Sequence, residues 1–249
     1  MSKVETLGEL FLASARAFPE RPALAFKSGA FTYRALAELA RTLGDQVRAS
    51  AGDGPVLVVG SRRPVTYVAI LAVLTSGHAY IPINPKHPAA RLRLILEVAR
   101  ASLLLIERKH VADLGPLFGE IAATMPVIVL DDDASVNQTT GARPPAAARG
   151  PGASEGAGGA APAYLMFTSG STGAPKGCVH THATMMATCV MSASWRGATN
   201  DVTPPVTLCT APLFHVTGMV GSMNVPIFLG GTIVPLPRWD ALAAARLIA

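Results

Sequence analysis

Short apolar runs and longer stretches of helical period alternate along the first 130 residues, and this alternation constrains the fold more than any other feature. Runs such as Val56–Val59 have the length and composition of buried strands. Segments such as 33–49 and Ala89–Ala99 repeat apolar residues every three or four positions, as amphipathic helices do. Strands that alternate with helices favour a sheet with much parallel pairing, covered by helices. We therefore expect an α/β fold, a layered α/β sandwich.

The same patterns predict the order of elements and a division of the chain. Helices are expected over 6–18, 33–49, 64–75, 89–99, 182–194, 218–229 and 241–249, and strands over 23–26, 30–32, 56–59, 79–83, 102–106, 127–130, 164–167, 208–211 and 233–236. Residues 134–162 are rich in Ala, Gly and Pro and are expected to form a mobile loop. This loop separates an N-terminal α/β subdomain, 1–133, from a second subdomain, 163–249. The last helix has no glycine or proline stop, so we expect truncation at the C-terminus.

The stretch from Tyr164 to His182, YLMFTSGSTGAPKGCVHTH, joins an apolar run to a loop suited to holding phosphate. Glycines allow close approach of the main chain to a ligand, and successive N–H groups in such turns form an anion-binding concavity. Lys176 adds a mobile positive charge. Its neighbours Pro175 and Gly177 exclude a Walker loop, which needs glycine before the lysine and Ser or Thr after it. The residues expected at the phosphates are Thr168, Ser169, Gly170, Ser171, Thr172, Gly173 and Lys176.

A flexible linker is the alternative interpretation of this composition, but a linker needs neither the preceding strand nor the ordered Pro-Lys-Gly ending. The stretch resembles, almost residue for residue, the phosphate loop of the adenylate-forming (AMP-binding) superfamily. Residues 74–92, LTSGHAYIPINPKHPAARL, resemble that family's helix, glycine turn and strand ending at a proline. Residues 211–219, APLFHVTGM, resemble the segment that lines the acyl pocket in fatty-acyl and aryl CoA synthetases. The resemblance indicates the N-terminal part of an acyl-CoA synthetase.

This resemblance implies an AMP-forming acid–thiol ligase with ATP, Mg²⁺ and CoA as cofactors or co-substrates. Thr172 and Lys176 are the implied catalytic residues, because they would stabilise the charge that moves onto the departing phosphates. The implied acyl-pocket residues are His215 and Gly218. The family's magnesium glutamate, ribose aspartate and C-terminal lysine domain have no counterpart in the sequence. We therefore expect this fragment alone to be inactive.

The substrate class depends on His215, which follows Phe214 where amino-acid-activating relatives place an aspartate for the substrate ammonium. An imidazole cannot replace that acidic partner, so a fatty or aryl acid is favoured. Three alternatives stay open: an amino-acid or carrier-protein-loading adenylation domain, a non-catalytic nucleotide-binding remnant, and a His215 that is only packed under the sheet.

Charge and cysteine content favour a small-molecule enzyme of the cytoplasm. The net charge is +5, but the arginines are scattered and do not alternate with aromatic residues, so nucleic-acid binding is not expected. The three cysteines lack the spacing of a zinc or disulfide framework. Asp131–Asp133 and the pair His180 and His182 are interpreted as structural, and no metal site is expected. No apolar run reaches the ~18 residues of a membrane span. A homodimer is possible through an exposed apolar edge.

Overall fold

The computed structural model describes residues 4–27, 29–131, 136–141, 158–169, 175–195 and 204–248. It has two sheets flanked by helices, which confirms the predicted α/β fold class. The helices are α1 Leu7–Ala17, α2 Tyr33–Ser50, α3 Pro64–Thr75, α4 Ala89–Ala99, α5 Val111–Leu114, α6 Pro116–Thr124, α7 His182–Trp195, α8 Val225–Phe228 and α9 Ala241–Ile248. The strands are β1 Pro22–Phe26, β2 Gly29–Thr32, β3 Val56–Val59, β4 Tyr80–Ile83, β5 Leu103–Glu107, β6 Pro126–Leu130, β7 Val136–Gly141, β8 Pro162–Ser169, β9 Pro175–Thr181, β10 Val206–Cys209 and β11 Thr232–Pro235. A π-helix, Thr217–Asn224, precedes α8, and short 3₁₀ helices lie at Arg108–His110 and Gly158–Ala160.

The larger sheet has the strand order β7-β6-β5-β3-β4-β8-β9. The five strands from β6 to β8 pair in parallel, and β7 and β9 are antiparallel strands at its two ends. Strands β3, β5 and β6 are buried along their whole length. Continuous apolar runs of this kind suit parallel strands whose two faces are both covered by helices.

The smaller sheet has the order β10-β11-β1-β2 and joins the two ends of the chain. Strand β11 pairs in parallel with both β10 and β1, and β1 forms the predicted hairpin with β2. Helix α3 is buried from Val65 to Leu74 and packs against α1, α2 and strands of the larger sheet. A helix that is apolar on all sides is expected at such a central position.

The prediction of a loop over 134–162 was wrong at 136–141, which form β7. This strand pairs with β6, for example Ile128 with Thr139. Its polar sequence, VNQTTG, does not predict a strand, and the backbone hydrogen bonds to β6 stabilise it. Residues 142–157 lie outside the described part. Strand β9 and helices α5 and α6 were not predicted, and the π-helix and α8 together correspond to the single helix predicted over 218–229.

Each sheet combines strands from both predicted subdomains, 1–133 and 163–249. Strand β8 pairs with β4 in the larger sheet, and β11 pairs with β1 in the smaller one. The division of the chain into subdomains at residues 133 and 163 therefore does not separate the sheets, and it stays a prediction.

Candidate functional site

The carboxyl ends of the parallel strands place the candidate site at one edge of the larger sheet. Strand β8 runs in parallel beside β4 and ends at Ser169, one residue after the predicted start of the phosphate loop at Thr168. The chain after β4, from Asn84 onward, therefore lies at the same edge. In open α/β sheets this edge is where ligands bind.

Strands β8 and β9 form a hairpin whose end carries the described part of the phosphate loop. Thr168 lies directly opposite Lys176, and Ser169 lies opposite Pro175. Directly opposed residues of an antiparallel pair have side chains on the same face, so Thr168 and Lys176 lie on one face of the hairpin. Both residues are exposed and available to a ligand. Four predicted site residues lie outside the described part: Gly170, Ser171, Thr172 and Gly173.

Gly177 leaves space for the ring of Phe167, which lies opposite it in the hairpin. A Cβ at this position would lie 3.3 Å from the Phe167 ring of the opposing strand, tighter than ordinary contact. Strand β9 begins with Pro, Lys and Gly, which are poor strand formers. Its pairing with β8 overrides that local preference, and its place at the sheet edge tolerates the proline.

Three rings lie side by side across β4, β8 and β9. The ring centroids of Tyr80 and Tyr164 are 5.6 Å apart, and those of Tyr164 and His180 are 4.6 Å apart in a stacked arrangement. The Tyr164 hydroxyl donates to the Met185 sulfur on α7 at 3.1 Å. Burial raises the pKa of both tyrosines, so both stay neutral donors. This ring series fixes the phosphate hairpin against β4 and α7.

The predicted acyl segment follows β10 and contacts the larger sheet. The Tyr80 hydroxyl donates to the sulfur of Met219 in the π-helix, so this segment lies against the strand next to β8. Gly218 is buried, and a Cβ there would overlap the carbonyl oxygens of Ala211 and Pro212. Packing alone therefore explains why glycine occupies position 218, and a role of Gly218 in substrate binding stays a prediction. A π-helical turn often marks a functional site.

His215 is exposed, so the alternative of a histidine packed under the sheet is wrong. The Nδ1 of His215 accepts a hydrogen bond from the Thr217 N–H at 3.3 Å, and the backbone N–H of His215 donates to the Pro212 carbonyl at 3.1 Å. The segment thus forms a local turn that presents the imidazole at the surface. Its contact with substrate stays a prediction.

Sequence reasoning missed Glu107, a buried carboxylate at the carboxyl end of β5. Its side chain is 2% exposed and accepts hydrogen bonds from the Ser61 N–H at 3.0 Å, from the Thr66 hydroxyl and from the Lys109 ammonium at 2.9 Å. Burial alone would raise its pKa, but these donors outweigh burial and lower it. The available sequence signal was a lone glutamate that ends an apolar strand and precedes Arg108-Lys109-His110.

The two predicted structural histidines have separate environments. His180 stacks on Tyr164, whereas His182 is buried at the start of α7 and accepts the Leu7 N–H at 3.2 Å through Nδ1. Burial lowers the pKa of His182 to about 4. Within the described ranges, no group of three His, Cys, Asp or Glu side chains is placed to hold a metal ion. Asp131 pairs with Arg108, and Asp132 and Asp133 lie outside the described part.

The three cysteines are free thiols. Cys178 is exposed and lies 3.5 Å from the His180 Nε2, whereas Cys189 and Cys209 are buried. None of the helices in the described part of the chain is long and apolar enough to cross a membrane.

Comparison with known proteins agrees with this geometry. The family described as AMP-binding enzyme matches residues 11–249. Tyrocidine synthase 3 from Brevibacillus parabrevis is 31% identical over 98% of this chain, which spans 4% of that protein. The mitochondrial malonate–CoA ligase of Mus musculus is 30% identical over 91% of this chain, which spans 38% of that enzyme.

A solved structure shares the fold of the chain. It is O-succinylbenzoate coenzyme A synthetase from Bacillus subtilis in complex with ATP and magnesium ion, which superposes with a TM-score of 0.72 at 20% identity. The alignment covers 96% of this chain and 60% of that protein. The chain therefore spans less than two thirds of the length of each of these proteins.

Proposed function

Since this chain belongs to the AMP-binding enzyme family, we propose that it supplies the phosphate-binding and acyl-binding part of an AMP-forming carboxylic acid–CoA ligase. The observation that carries the proposal is the β8–β9 hairpin. It sets Thr168 opposite Lys176 at the carboxyl edge of the sheet, beside the strand that contacts the acyl segment. A hydroxyl and an ammonium on one face of a hairpin, at the two ends of a glycine-rich sequence, suit a phosphate ligand.

The proposed reaction activates an acid in two steps. A carboxylate oxygen attacks the α-phosphorus of ATP, and the bond from that phosphorus to the bridging oxygen breaks to release pyrophosphate. The CoA thiol then attacks the carbonyl carbon of the acyl-adenylate, AMP leaves with the bridging oxygen, and the thiol proton passes to solvent. Activation is needed because a free carboxylate is anionic and has no good leaving group.

The phosphate loop would act on the first step. Negative charge moves onto the β- and γ-phosphates as they leave, and prearranged donors that meet this charge lower the barrier. Lys176 and the Thr172 hydroxyl are the proposed catalytic donors. Mg²⁺ would be held largely by the phosphate oxygens of ATP, as is usual for this ion. The remaining proposed phosphate contacts are Thr168, Ser169, Gly170, Ser171 and Gly173.

The proposed substrate is a fatty or aryl acid, because His215 is exposed in the acyl segment and offers no carboxylate for a substrate ammonium. The identity to tyrocidine synthase 3 favours the second candidate, a domain that loads an amino acid or a carrier protein. The identity to malonate–CoA ligase adds a short dicarboxylic acid to the acids worth testing. Cytoplasmic location stays a prediction.

Substitutions in the loop test the proposed activity in the longest protein made from this reading frame. Lys176→Ala and Thr172→Ala should each slow acid-dependent ATP–pyrophosphate exchange by on the order of tenfold to a thousandfold, since each removes one transition-state donor. Lys27→Ala, at an exposed lysine of the β1–β2 hairpin, is the matched control and should leave exchange unchanged. Equal exchange in all four proteins would refute the role of the loop.

A panel of fatty, aryl, dicarboxylic and amino acids tests the substrate class by the same exchange reaction. We expect exchange with fatty or aryl acids and none with free amino acids. Exchange with an amino acid alone would establish the second candidate, and ATP binding without exchange with any acid would establish a nucleotide-binding remnant. The 249-residue chain is assayed in parallel, and we propose that it forms no acyl-CoA by itself.

A further inference from the structure

We propose that Glu107 and Arg62 form a relay that holds the acyl-segment side of the smaller sheet to the sheet that carries the phosphate loop. The relay runs through the turn between β3 and α3, residues 60–63, and ends on the carbonyl groups after β11. It is a positioning device, and none of its members is proposed to touch the substrate.

The relay begins at the buried carboxylate of Glu107. Burying a charge is costly unless it is paired and hydrogen-bonded, so the groups around it are strongly constrained. The Ser61 N–H and hydroxyl both donate to this carboxylate, at 3.0 and 3.1 Å. The Lys109 ammonium donates to the Ser61 hydroxyl at 2.7 Å and so closes the ring of contacts. His110 Nε2 also faces the carboxylate at 3.4 Å.

The turn is constrained at its other end by the first turn of α3. The Thr66 hydroxyl donates to Glu107, and it also accepts from the Ser61 N–H at 3.1 Å. A Cβ at Gly60 would overlap this hydroxyl, so the turn has little space to shift. Glu107 therefore sets the backbone position of Ser61 and, through it, of Arg62.

Arg62 carries the constraint to the smaller sheet. Its Nε donates to the Leu236 carbonyl at 2.6 Å, and its Nη2 donates to the Pro237 carbonyl at 3.0 Å. The planar guanidinium can satisfy both carbonyls only in one orientation. The Leu236 N–H in turn donates to the Cys209 carbonyl at 3.0 Å, and Cys209 ends the strand that leads into the acyl segment.

An alternative is that these are separate packing contacts with no coupling between them. The two interpretations differ in what happens far from a substitution. A relay transmits the loss of Glu107 to Leu236 through Arg62, whereas separate contacts confine the loss to residues around Ser61.

Hydrogen exchange measured by mass spectrometry on the 249-residue chain separates the two. Glu107→Gln should speed exchange in peptides covering both 61–66 and 236–240, by about tenfold for the loss of a charge-assisted hydrogen bond. Arg62→Met should speed exchange at 236–240 alone. In the double variant the effect at 236–240 should not exceed that of Arg62→Met, because the two residues act in series.

The matched control is Glu120→Gln, at an exposed carboxylate that pairs with Arg93, and it should change neither peptide. Should Glu107→Gln fail to fold, Lys109→Met removes a contact from the exposed side of the cluster and should give a smaller change in the same two peptides. A change confined to 61–66, or additive changes at 236–240, would overturn the relay.

The effect on catalysis rests on the proposed function and is read out separately. In the longest protein from this reading frame, Glu107→Gln should raise the KM for the acid severalfold and leave the KM for ATP unchanged. If Glu107→Gln changes hydrogen exchange as expected but leaves the KM for the acid unchanged, only the link to acid binding is overturned. Absence of any pyrophosphate exchange in the wild type would count against the proposed function, and the hydrogen-exchange result would still decide the relay.

Discussion

Two glycines of the π-helix show how single residues set the geometry of the acyl segment. Gly218 is buried, and a side chain there would overlap the backbone carbonyls of Ala211 and Pro212. Gly221 lies one turn further on, and a Cβ at this position would meet no described heavy atom within 4 Å. Position 218 therefore requires glycine, whereas position 221 has space for a side chain.

Alanine substitutions at these two positions give a matched stability test. Gly218→Ala should lower the free energy of unfolding by about 1–3 kcal/mol, because a methyl group must displace backbone in a packed region. Gly221→Ala should leave it unchanged or raise it by up to ~1 kcal/mol, because alanine restricts the unfolded chain. Urea denaturation followed by circular dichroism measures both. Equal destabilisation by the two substitutions would contradict the packing argument.

At the scale of elements, a buried histidine joins the start of α7 to the start of α1. The first N–H groups of a helix lack partners within the helix. The Leu7 N–H finds one in the His182 Nδ1, and Thr6 and Glu9 cap the same helix end. Because Nδ1 accepts this hydrogen bond, His182 must be unprotonated there. Burial lowers its pKa to about 4, and nearby Glu9 opposes this only in part.

This contact predicts a loss of stability in mild acid. A histidine whose pKa is about 6.5 unfolded and about 4 folded binds more protons in the unfolded state, so stability falls as pH drops from 6.5 toward 4. We expect His182 to contribute on the order of 2 kcal/mol to this fall. His182→Asn keeps an acceptor for Leu7 and should flatten the urea-midpoint profile between pH 7 and 4.5.

His215→Asn, at an exposed histidine, is the control and should keep the wild-type profile. Burial also lowers the pKa of His78, so the informative quantity is the difference between the two variants. Identical profiles would show that His182 is not the group responsible.

At the scale of the whole molecule, large apolar side chains are exposed on α7 and on β10. Met191 is 57% exposed, Trp195 90% and Val206 72%. Helix α7 contains no Asp, Glu, Lys or Arg. Large apolar side chains exposed on an uncharged helix commonly mark an interaction surface or a tendency to associate.

We therefore expect the 249-residue chain to self-associate at micromolar concentration, as sedimentation velocity would show. Met191→Lys should shift the distribution toward the monomer, because a charge would have to be desolvated in the contact. Val98→Lys, at a comparably exposed position on α4, should leave the distribution unchanged. A monomeric wild type would exclude the homodimer that the sequence suggested.

The sequence alone was sufficient wherever the determining pattern is local. Strand β3 and helices α3 and α4 have the predicted bounds, because apolar periodicity and helix-end signals depend on residues that are close together in the sequence. The family was evident from the contiguous stretch 164–182 for the same reason.

Only the tertiary structure decided the features whose partners are distant in the chain. Strands β7 and β9 owe their form to backbone pairing with β6 and β8, which their polar or glycine-containing sequences do not reveal. Glu107 meets Ser61 across 46 positions, and Arg62 meets Leu236 across 174. No local pattern specifies such contacts. They form when packing of the sheets removes a carboxylate or a backbone carbonyl from water. Such a group is costly to bury without a hydrogen-bond donor, so only arrangements that place a donor beside it are stable.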